Sequence, residues 1–512
     1  MNNRSLLKWI ISFCLMFYSY SITNGDGVPN PEIKDGIAKL SGKIINFHPN
    51  QGKDNRMLTL TVPHLITAEP YGVTTEVSGD GTFTFEVAMQ CDYAIGFIRP
   101  KFQYNEFRVC LTSGKETKME IIYEEGTGYI KSIHQTDSFG LTSDDLINLI
   151  SVATQLIMYQ SREITGYAKT PDEFVQRIRT KLNERLRVIE ENNTISENAK
   201  IIITNYLKLL MLDSWFFDYR ENMRLGYLQA GNKDIENFNP QEPDKKYYAF
   251  LKDFELNNPQ YLYTGNYFSV LKKILSDETL RILPIGEMPI DQWMKDVKKI
   301  LLELVGFDKG LFYDLLVAYS YTQQFDYQVK PLSDQQKENI RNYFKDGKSE
   351  IAKILLKKDN EIRKLAAQKE PLMVNETPAE PKEKLMYAIV SKYKGKVVVV
   401  DFWATWCVPC LYAMKQSAGI KAELKDRDVV FVYITNLSSP QKSWENRIIG
   451  IGGEHYYLNQ DEWVYILDTF NFEVIPTYLI FDKKGNFVEK YVSYPGNEEM
   501  QKTIKELLPQ EI

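Results

Sequence analysis

The stretch KVVVVDFWATWCVPC, residues 396–410, decides the fold of the C-terminal part of this chain. Its continuous β-branched run is typical of a strand buried on both faces of a sheet that carries helices on either side. Two cysteines, Cys407 and Cys410, follow this strand after a short aromatic turn. A Cys-x-x-Cys pair at such a junction is compatible with three uses: metal binding, a structural disulfide or electron transfer.

The rest of the C-terminal region alternates strands and helices in an order that indicates its fold class. The predicted elements are a helix over 407–425, a strand over 428–435, helices near 441–450 and 460–470, a hairpin over 476–492 and a helix over 497–508. A βαβ half joined to a ββα half is the thioredoxin fold. We therefore predict an α/β thioredoxin-like domain over residues 386–512.

The position of the first cysteine predicts a reactive thiol. At the start of a helix, Cys407 lies beside backbone N–H groups that have no partner within the helix, and the helix dipole favours negative charge there. A fall in its pKa from about 8.5 to about 7 raises the thiolate fraction at neutral pH to about half, for roughly 2 kcal/mol of differential stabilisation. The thiolate then attacks a partner disulfide, and Cys410, one turn later, resolves the mixed disulfide.

The two segments that frame this site resemble one protein family. VVVVDFWATWCVPC, residues 397–410, and FEVIPTYLIFDKKGNFV, residues 472–488, are similar to the thioredoxin superfamily and most closely to the TlpA/ResA-like thiol-disulfide oxidoreductases of the bacterial envelope. The resemblance covers about residues 376–512. It implies a cis-proline at Pro476 that faces the cysteines, pairs with an extended substrate strand and keeps metal away from the thiols. The predicted substrate-binding residues are Trp406, which flanks the cysteines, and Ile475, Pro476 and Thr477.

Asp401, six residues before the first cysteine, matches the buried acid of this superfamily. Because four valines precede it, burial should raise its pKa, so that it accepts and returns the proton of Cys410. A solvated aspartate at the strand end is the alternative. The chain departs from the family twice: the strand over 429–435 lacks the lysine that partners this acid in cytosolic thioredoxin, and Lys415 stands where relatives commonly have a helix-kinking proline.

The first residues have the composition of a secretion signal. Arg4 and Lys8 accompany an apolar run over residues 9–18, and small residues follow at 19 and 21. This pattern predicts a signal peptide over residues 1–21 that is cleaved on export. An N-terminal membrane anchor is the weaker alternative, because the apolar run is about half of the ~20 residues that span a bilayer. The expected location is the periplasm or cell envelope.

Composition and cysteine usage narrow the possible functions. The net charge of −6 provides no basic surface, so nucleic-acid binding is not predicted. Four cysteines remain after cleavage and the four histidines lie far apart, so we predict no metal site. Cys91 and Cys110 form either a structural disulfide or two buried thiols; a hairpin turning near residue 102 places Cys110 opposite about residue 95 and favours thiols. We expect no cofactor other than the redox-active disulfide of the Cys-x-x-Cys pair.

The length and the sequence patterns predict several domains. A chain of 512 residues is too long for one core. Short β runs broken by turn residues predict a small antiparallel β-sandwich of about seven strands over 30–137. Helical spacing, with caps at Thr170 and Ser333, predicts about eight to ten helices over 138–368. Prolines and alternating charge indicate a linker over 369–385.

Two further sequence patterns can each be interpreted in two ways. The aromatic-rich residues 215–267 form either a partner-binding surface or, as we favour, the core of the helical region. Residues 450–453 are interpreted as a loop. Glu454 and His455 are interpreted as a surface pair, and a proton relay near the thiols is the alternative.

Together, these patterns predict an extracytoplasmic thiol-disulfide oxidoreductase that reduces envelope proteins through its CVPC pair. The expected partners are disulfide-containing envelope proteins and a membrane thiol-disulfide electron donor, and the oligomeric state stays open. One alternative is a disulfide oxidase or isomerase that uses the same residues. Another is a partner-binding envelope protein in which the thioredoxin-like domain is accessory. The pair encloses Val408 and Pro409 and no histidine, which argues for a reducing potential.

Overall fold

A computed structural model describes most of the chain and divides it into two compact units. The described residues are 27–46, 56–67, 69–100, 106–125, 128–158, 168, 170–232, 238–328, 330–345, 349–368 and 371–508. One unit is formed mainly by residues up to 273 and the other by residues from 274 onwards. The predicted signal peptide lies outside the described residues. Within them, no helix combines the length and the apolar character needed to cross a bilayer.

The first unit contains a β-sandwich of two four-stranded sheets, in the orders β4-β1-β7-β8 and β3-β2-β5-β6. Its strands are β1 (Ile33–Ile45), β2 (Met57–His64), β3 (Glu69–Glu76), β4 (Thr82–Cys91), β5 (Tyr93–Pro100), β6 (Phe107–Thr112), β7 (Glu116–Tyr123) and β8 (Ile130–Gln135). Burial alternates along β4, where Phe83, Phe85 and Val87 are buried, because successive side chains of a strand point to opposite faces. The predicted antiparallel sandwich is confirmed with one exception, since β1 and β7 pair in parallel.

The two cysteines of the sandwich are free thiols. Cys91 ends β4 and Cys110 lies in β6, and both are buried. Cys110 is directly opposite Ile95 in the β5–β6 hairpin, as the sequence predicted. Of the two alternatives for this pair, the structure therefore has the buried thiols and not the disulfide.

Nine α-helices lie between the sandwich and residue 368 in the described part of the chain. They are α1 (Ser143–Met158), α2 (Pro171–Glu190), α3 (Glu197–Met211), α4 (Tyr219–Gln229), α5 (Asn266–Ser276), α6 (Ile290–Val305), α7 (Leu311–Gln328), α8 (Asp334–Tyr343) and α9 (Glu350–Gln368). The side chains of Thr170 and Ser333 cap α2 and α8, as predicted. Several rings of the aromatic-rich segment are buried, so the core interpretation holds for them: Phe216, Tyr247, Tyr248, Tyr261 and Tyr267.

The C-terminal domain is built on a six-stranded sheet in the order β14-β13-β10-β11-β12-β9. Its strands are β9 (Leu372–Val374), β10 (Val397–Phe402), β11 (Val429–Asn436), β12 (Gly453–Leu458), β13 (Thr477–Phe481) and β14 (Phe487–Val492). Its helices are α10 (Lys382–Ser391), α11 (Val408–Gln416), α12 (Ala418–Leu424), α13 (Gln441–Ile451), α14 (Gln460–Phe470) and α15 (Asn497–Leu507). Every residue of β10 is buried, as expected for a central strand covered on both faces.

Three local predictions in this domain are corrected. The predicted linker is more than a connection, because its residues 372–374 form β9 and pair with β12 at the edge of the sheet. The single helix predicted over 407–425 is divided at Ser417 into α11 and α12. Residues 450–453, interpreted as a loop, are the end of α13 and the start of β12. Pairing of β12 with strands on both sides stabilises an extended conformation, although Gly452 precedes the strand and Gly453 begins it.

The residues of β10 alternate between two apolar cores. Val399 and the following Trp403 pack on the same side of the sheet as Cys407 and Cys410. Val400 and Phe402 pack on the other side. Because side chains alternate along a strand, Asp401 belongs to the side that carries the cysteines.

Candidate active site

The turn between β10 and α11 presents the cysteine pair at the start of a helix. Cys407 is the N-cap residue of α11. Its backbone N–H donates to the carbonyl of Ala404 at 3.0 Å. Pro409 stands in the first turn, where a missing N–H costs nothing. The helix thus begins at Val408, one residue after the predicted start, with Cys407 as its cap.

A serine-containing loop after β11 holds this turn. The Ser439 hydroxyl accepts the backbone N–H of Thr405 at 3.0 Å, and the Ser438 hydroxyl accepts the indole N–H of Trp406 at 3.2 Å. Ser439 is itself buried and lies 2.8 Å from the Thr435 hydroxyl. Trp406 is nevertheless 61% exposed. A large apolar surface therefore stands beside the cysteines while its polar end is anchored.

Cys407 and Cys410 are joined in a disulfide, with an S–S distance of 1.96 Å and a Cα–Cα distance of 5.3 Å. The sulfur of Cys407 accepts the backbone N–H of Cys410 at 3.2 Å. An N–H group directed at this sulfur favours negative charge on it. After reduction of the disulfide, Cys407 is therefore the thiol that the helix start stabilises as a thiolate.

Asp401 is buried on the cysteine-bearing side of the sheet. It is 4% exposed, and its Oδ1 atom has no hydrogen-bond partner within the described chain. Burial raises the pKa of its carboxyl to about 7, against the lowering effects of the Lys421 ammonium group and of a hydrogen bond with Tyr478. The alternative of a solvated aspartate is wrong. An acid with this pKa can take up and release a proton at neutral pH.

The segment around Pro476 lies at the same end of the sheet as the cysteine turn. The Ile475–Pro476 peptide bond is cis. Thr477 begins β13 directly opposite Phe402, the last residue of β10, and its hydroxyl donates to the carbonyl of Val474 at 2.7 Å. The side chain of Ile475 packs against the apolar cluster that contains both cysteines. Ile475 thus packs on the cluster that contains the cysteines, and Thr477 lies beside the strand end that leads into the cysteine turn.

Four residues lie near Asp401, and the sequence patterns connected only one of them, His455, with the site, as the alternative to a surface residue. Tyr478 and Tyr433 are its partners on the two neighbouring strands, and His455 is the next partner in the same row. Lys421, from α12, has its Nζ atom 4.7 Å from the centroid of the Tyr433 ring. Alternation along each strand assigns a residue to one of the two faces of the sheet. The register between strands decides which of these side chains lie next to each other. No pattern within a single strand reveals that register.

His455 is not the surface residue that the sequence predicted. It is fully buried in β12, stacks on Tyr433 at a centroid distance of 4.9 Å, and has its Nε2 atom 2.8 Å from the Gly452 carbonyl oxygen. Burial lowers its pKa to about 4, so the imidazole is neutral and Nε2 donates to that carbonyl. Glu454 points to the other side of the sheet, where its carboxylate accepts the Tyr393 hydroxyl at 2.8 Å.

A metal site finds no support in the part of the chain that the structure describes. No group of three or more His, Cys, Asp or Glu side chains that could hold a metal ion occurs there. The two sulfurs of the CVPC pair bond to each other.

Comparison with known proteins identifies the domain that holds the pair. Residues 395–487 match a family model described as Thioredoxin-like. The thiol-disulfide oxidoreductase ResA of Bacillus anthracis is 25% identical over 118 residues, which cover 23% of this chain and 66% of ResA. The thioredoxin-like protein YneN of Bacillus subtilis is 28% identical over 117 residues, which cover 22% of this chain and 65% of YneN. The chain thus spans slightly less than two thirds of the length of these relatives.

Solved structures also match this chain. The exposed lipoprotein thioredoxin Etrx1 of Streptococcus pneumoniae is 27% identical, with a TM-score of 0.20, and the match covers 23% of this chain and 90% of that protein. A thiol:disulfide interchange protein of Chlorobium tepidum is 22% identical, with a TM-score of 0.21, over 23% of this chain and 84% of that protein. The family match by itself shows that the C-terminal region is a thioredoxin-like domain, and the prediction of this fold is confirmed.

Proposed function

We propose that this protein is a thiol-disulfide oxidoreductase that reduces disulfide bonds of extracytoplasmic proteins through Cys407 and Cys410. The observation that carries the proposal is the position of the Cys407 sulfur at the first turn of α11, 3.2 Å from the backbone nitrogen of Cys410. A sulfur in this position is favoured as a thiolate, the form that attacks a disulfide. The similarity to the ResA proteins, which are named thiol-disulfide oxidoreductases, supports the same reaction.

The proposed reduction consists of two exchanges. In the dithiol form, the Cys407 thiolate attacks one sulfur of the substrate disulfide, and the second substrate sulfur leaves as a thiolate that takes up a proton. Cys410 then loses its proton and attacks the Cys407 sulfur. The enzyme disulfide forms as the mixed disulfide breaks. The substrate leaves as a dithiol that has gained two electrons and two protons, and the enzyme pair is oxidised.

Asp401 is the proposed base for the second exchange. Its carboxyl, with a pKa of about 7, is about half ionised at neutral pH. The carboxylate accepts the proton of Cys410 as that thiol ionises and then returns it to the departing substrate sulfur. Its burial on the side of the sheet that carries the cysteines keeps this proton transfer away from bulk water.

The substrate is proposed to bind as an extended segment beside the disulfide. Trp406 offers an exposed ring next to Cys407, and residues 475–477 lie at the start of β13. A segment that pairs along residues 475–477 and packs on Trp406 would bring its disulfide to Cys407. The signal-like composition of residues 1–21 supports an envelope location. Envelope proteins are then the substrates, and a membrane thiol-disulfide electron donor regenerates the dithiol.

Insulin reduction by the purified full-length protein, with dithiothreitol as the reductant, tests the proposal. The wild type and a Cys110→Ser variant should accelerate insulin precipitation equally, because Cys110 is a buried free thiol of the sandwich. Cys407→Ser should lose the acceleration. Equal rates for the wild type and Cys407→Ser would overturn the proposal.

A redox titration of the pair against glutathione assigns the direction of the reaction. A reductase should have a midpoint of about −200 to −270 mV. A midpoint near −120 mV would instead identify a disulfide oxidase that uses the same residues.

A further inference from the structure

We propose that Lys421 is a positioning residue for this chemistry: its ammonium group keeps the Asp401 carboxylate available as the base that takes the proton of Cys410. The inference rests on the proposed function. Strand β11, next to Asp401, carries no positively charged residue. Lys421 of α12 provides that charge instead.

Four side chains form a row across the sheet on the side that carries the cysteines. This row, called the buried row below, consists of Tyr478 in β13, Asp401 in β10, Tyr433 in β11 and His455 in β12, each directly opposite the next. Directly opposite residues of neighbouring strands share a face and lie about 5 Å apart. All four side chains are buried, so charges among them are weakly screened.

Lys421 extends over the middle of the buried row. Its helix, α12, packs Leu424 into the same apolar core that contains the cysteines, which brings the helix onto this side of the sheet. The Nζ atom of Lys421 lies 4.7 Å from the centroid of the Tyr433 ring. Tyr433 has Asp401 as its neighbour on one side and His455 on the other. The ammonium group therefore lies over the ring that separates the acid from the imidazole in the row.

The same positive charge affects the two neighbours of Tyr433 in opposite ways. It stabilises the anion of Asp401, whose pKa burial raises to about 7. It also disfavours the cation of His455, whose pKa burial lowers to about 4. His455 is therefore neutral at pH 7 and adds no positive charge to the row. Lys421 is therefore the positively charged group that lowers the pKa of Asp401.

The other titratable groups that face Asp401 are hydroxyls and thiols. Burial, with the nearby Asp401 charge, raises the pKa of Tyr494 to about 12, and burial likewise raises that of Tyr478. The residues that α13 and α15 contribute to this core do not ionise: Trp444, Ile448, Met500 and Ile504. Among the described residues, Tyr433 and Tyr478 pair with Asp401 across the sheet, Tyr494 interacts with its charge, and Cys407 and Cys410 pack in the core on the same side.

Removing the charge of Lys421 should leave more of Asp401 protonated at neutral pH. A protonated carboxyl cannot accept the proton that Cys410 releases as it attacks the mixed disulfide. Fewer molecules can then complete the second exchange at pH 7. Above the pKa of Asp401 the carboxylate is present with or without Lys421, so the difference disappears there.

A set of matched variants of the full-length protein tests this role. Lys421→Met removes the charge and keeps an aliphatic side chain over Tyr433, with Lys421→Gln as a second neutral variant if the first does not fold. Lys421→Arg keeps the charge. Lys425→Met removes an exposed charge one helical turn away. Carbon-13 NMR titration of the Asp401 carboxyl in the oxidised protein, assigned with Asp401→Asn, measures the direct effect.

The Asp401 midpoint should rise by about one pH unit in Lys421→Met and stay close to the wild-type value in Lys421→Arg and Lys425→Met. The ring titration of His455 should also move up in Lys421→Met, because the repulsion from the ammonium group is lost. An Asp401 midpoint that is unchanged in the neutral variants would overturn the proposal. This measurement needs no substrate turnover, so its failure is distinct from a failure of insulin reduction.

The pH dependence of mixed-disulfide resolution provides a second readout. With a midpoint of about 7, about half of the wild-type carboxyl is ionised at pH 7, against about one tenth after a shift of one unit. Lys421→Met should therefore resolve a mixed disulfide about five-fold more slowly at pH 7 and as fast as the wild type at pH 9. A loss of equal size at every pH would show a purely structural role for Lys421 and overturn the proposal.

Discussion

Cys407 and Cys410 in the thioredoxin-like domain and Cys91 and Cys110 in the β-sandwich are buried to nearly the same degree. Their exposed fractions are 3%, 0%, 5% and 0%. The first two are joined in a disulfide, whereas the second two are free thiols. Because burial is nearly equal, burial by itself does not explain the difference between the two pairs.

The backbone groups that face the Cys407 and Cys110 sulfurs have opposite polarity. The Cys407 sulfur receives the N–H of Cys410 at the first turn of α11. The Cys110 thiol instead donates to the carbonyl of Ser138 at 3.3 Å, which favours the protonated form. Burial raises the pKa of Cys91 to about 12 and that of Cys110 well above its ordinary value. Burial thus makes a thiol inert unless a helix start supplies N–H donors to the thiolate.

The largest expected difference between the two sites comes from the buried acid beside the first pair. Asp401→Asn should stabilise the thioredoxin-like domain above pH 7 by on the order of 4 kcal/mol, because burial raises the pKa of Asp401 from 3.8 to about 7. Below about pH 3 the carboxyl is largely protonated in both the folded and the unfolded chain. As the pH rises from about 4 to 7, the unfolded chain ionises first and wild-type stability falls, whereas asparagine does not ionise.

Hydrogen–deuterium exchange at pH 4 and pH 8 measures this gain as the free energy of opening of the β10 amides. The amides of β6, around Cys110, should show no change. Asp428→Asn is the control, because Asp428 is exposed and a hydrogen bond from Lys483 lowers its pKa. A gain in β10 of the same size at both pH values would contradict the ionisation assigned to Asp401.

The second prediction compares the thiols directly. At pH 7, iodoacetamide should modify Cys407 of the reduced protein at least about 100-fold faster than Cys91 or Cys110. A thiol with a pKa of about 7 and one with a pKa of about 12 differ by roughly 10⁴–10⁵ in thiolate fraction. The weaker nucleophilicity of a low-pKa thiolate offsets about two powers of ten of this ratio.

Mass spectrometry of tryptic peptides after timed quenching measures the three rates. In denatured protein the rates should converge, since the helix start and the buried sites are lost together. Similar rates in the folded protein would mean that the backbone around Cys407 does not activate its thiol.

The smallest expected effect is that of Cys110→Ser. A serine hydroxyl can still donate to the Ser138 carbonyl, so the change should cost about 1 kcal/mol of unfolding free energy or less. Denaturant unfolding followed by exchange of the β6 amides measures this cost. The same replacement at Cys407 should abolish insulin reduction, so one chemical change is compared at two sites. A loss of insulin reduction in Cys110→Ser would show that the sandwich thiols take part in the reaction.

Patterns that are local in the chain could be predicted from the sequence. The valine run indicated the central strand β10, and the position of the hairpin turn placed Cys110 opposite Ile95. Strand β12 was missed because Gly452 and Gly453 indicated a loop, whereas its conformation depends on pairing with β11 and β9. The burial of His455 was missed for the same reason. Pairing partners and covering helices come from distant parts of the chain.

The sequence by itself determined that Cys407 follows a buried strand and starts a helix, since apolar runs, proline placement and cysteine spacing act within a few residues. Only the tertiary structure decided the surroundings of Asp401. Tyr478, Tyr433 and Lys421 reach it through strand register and helix packing. The interaction between two charges depends on their distance and on the polarisability of what lies between them. The distance and the intervening material are set only when the strands have paired and the helix has packed against them.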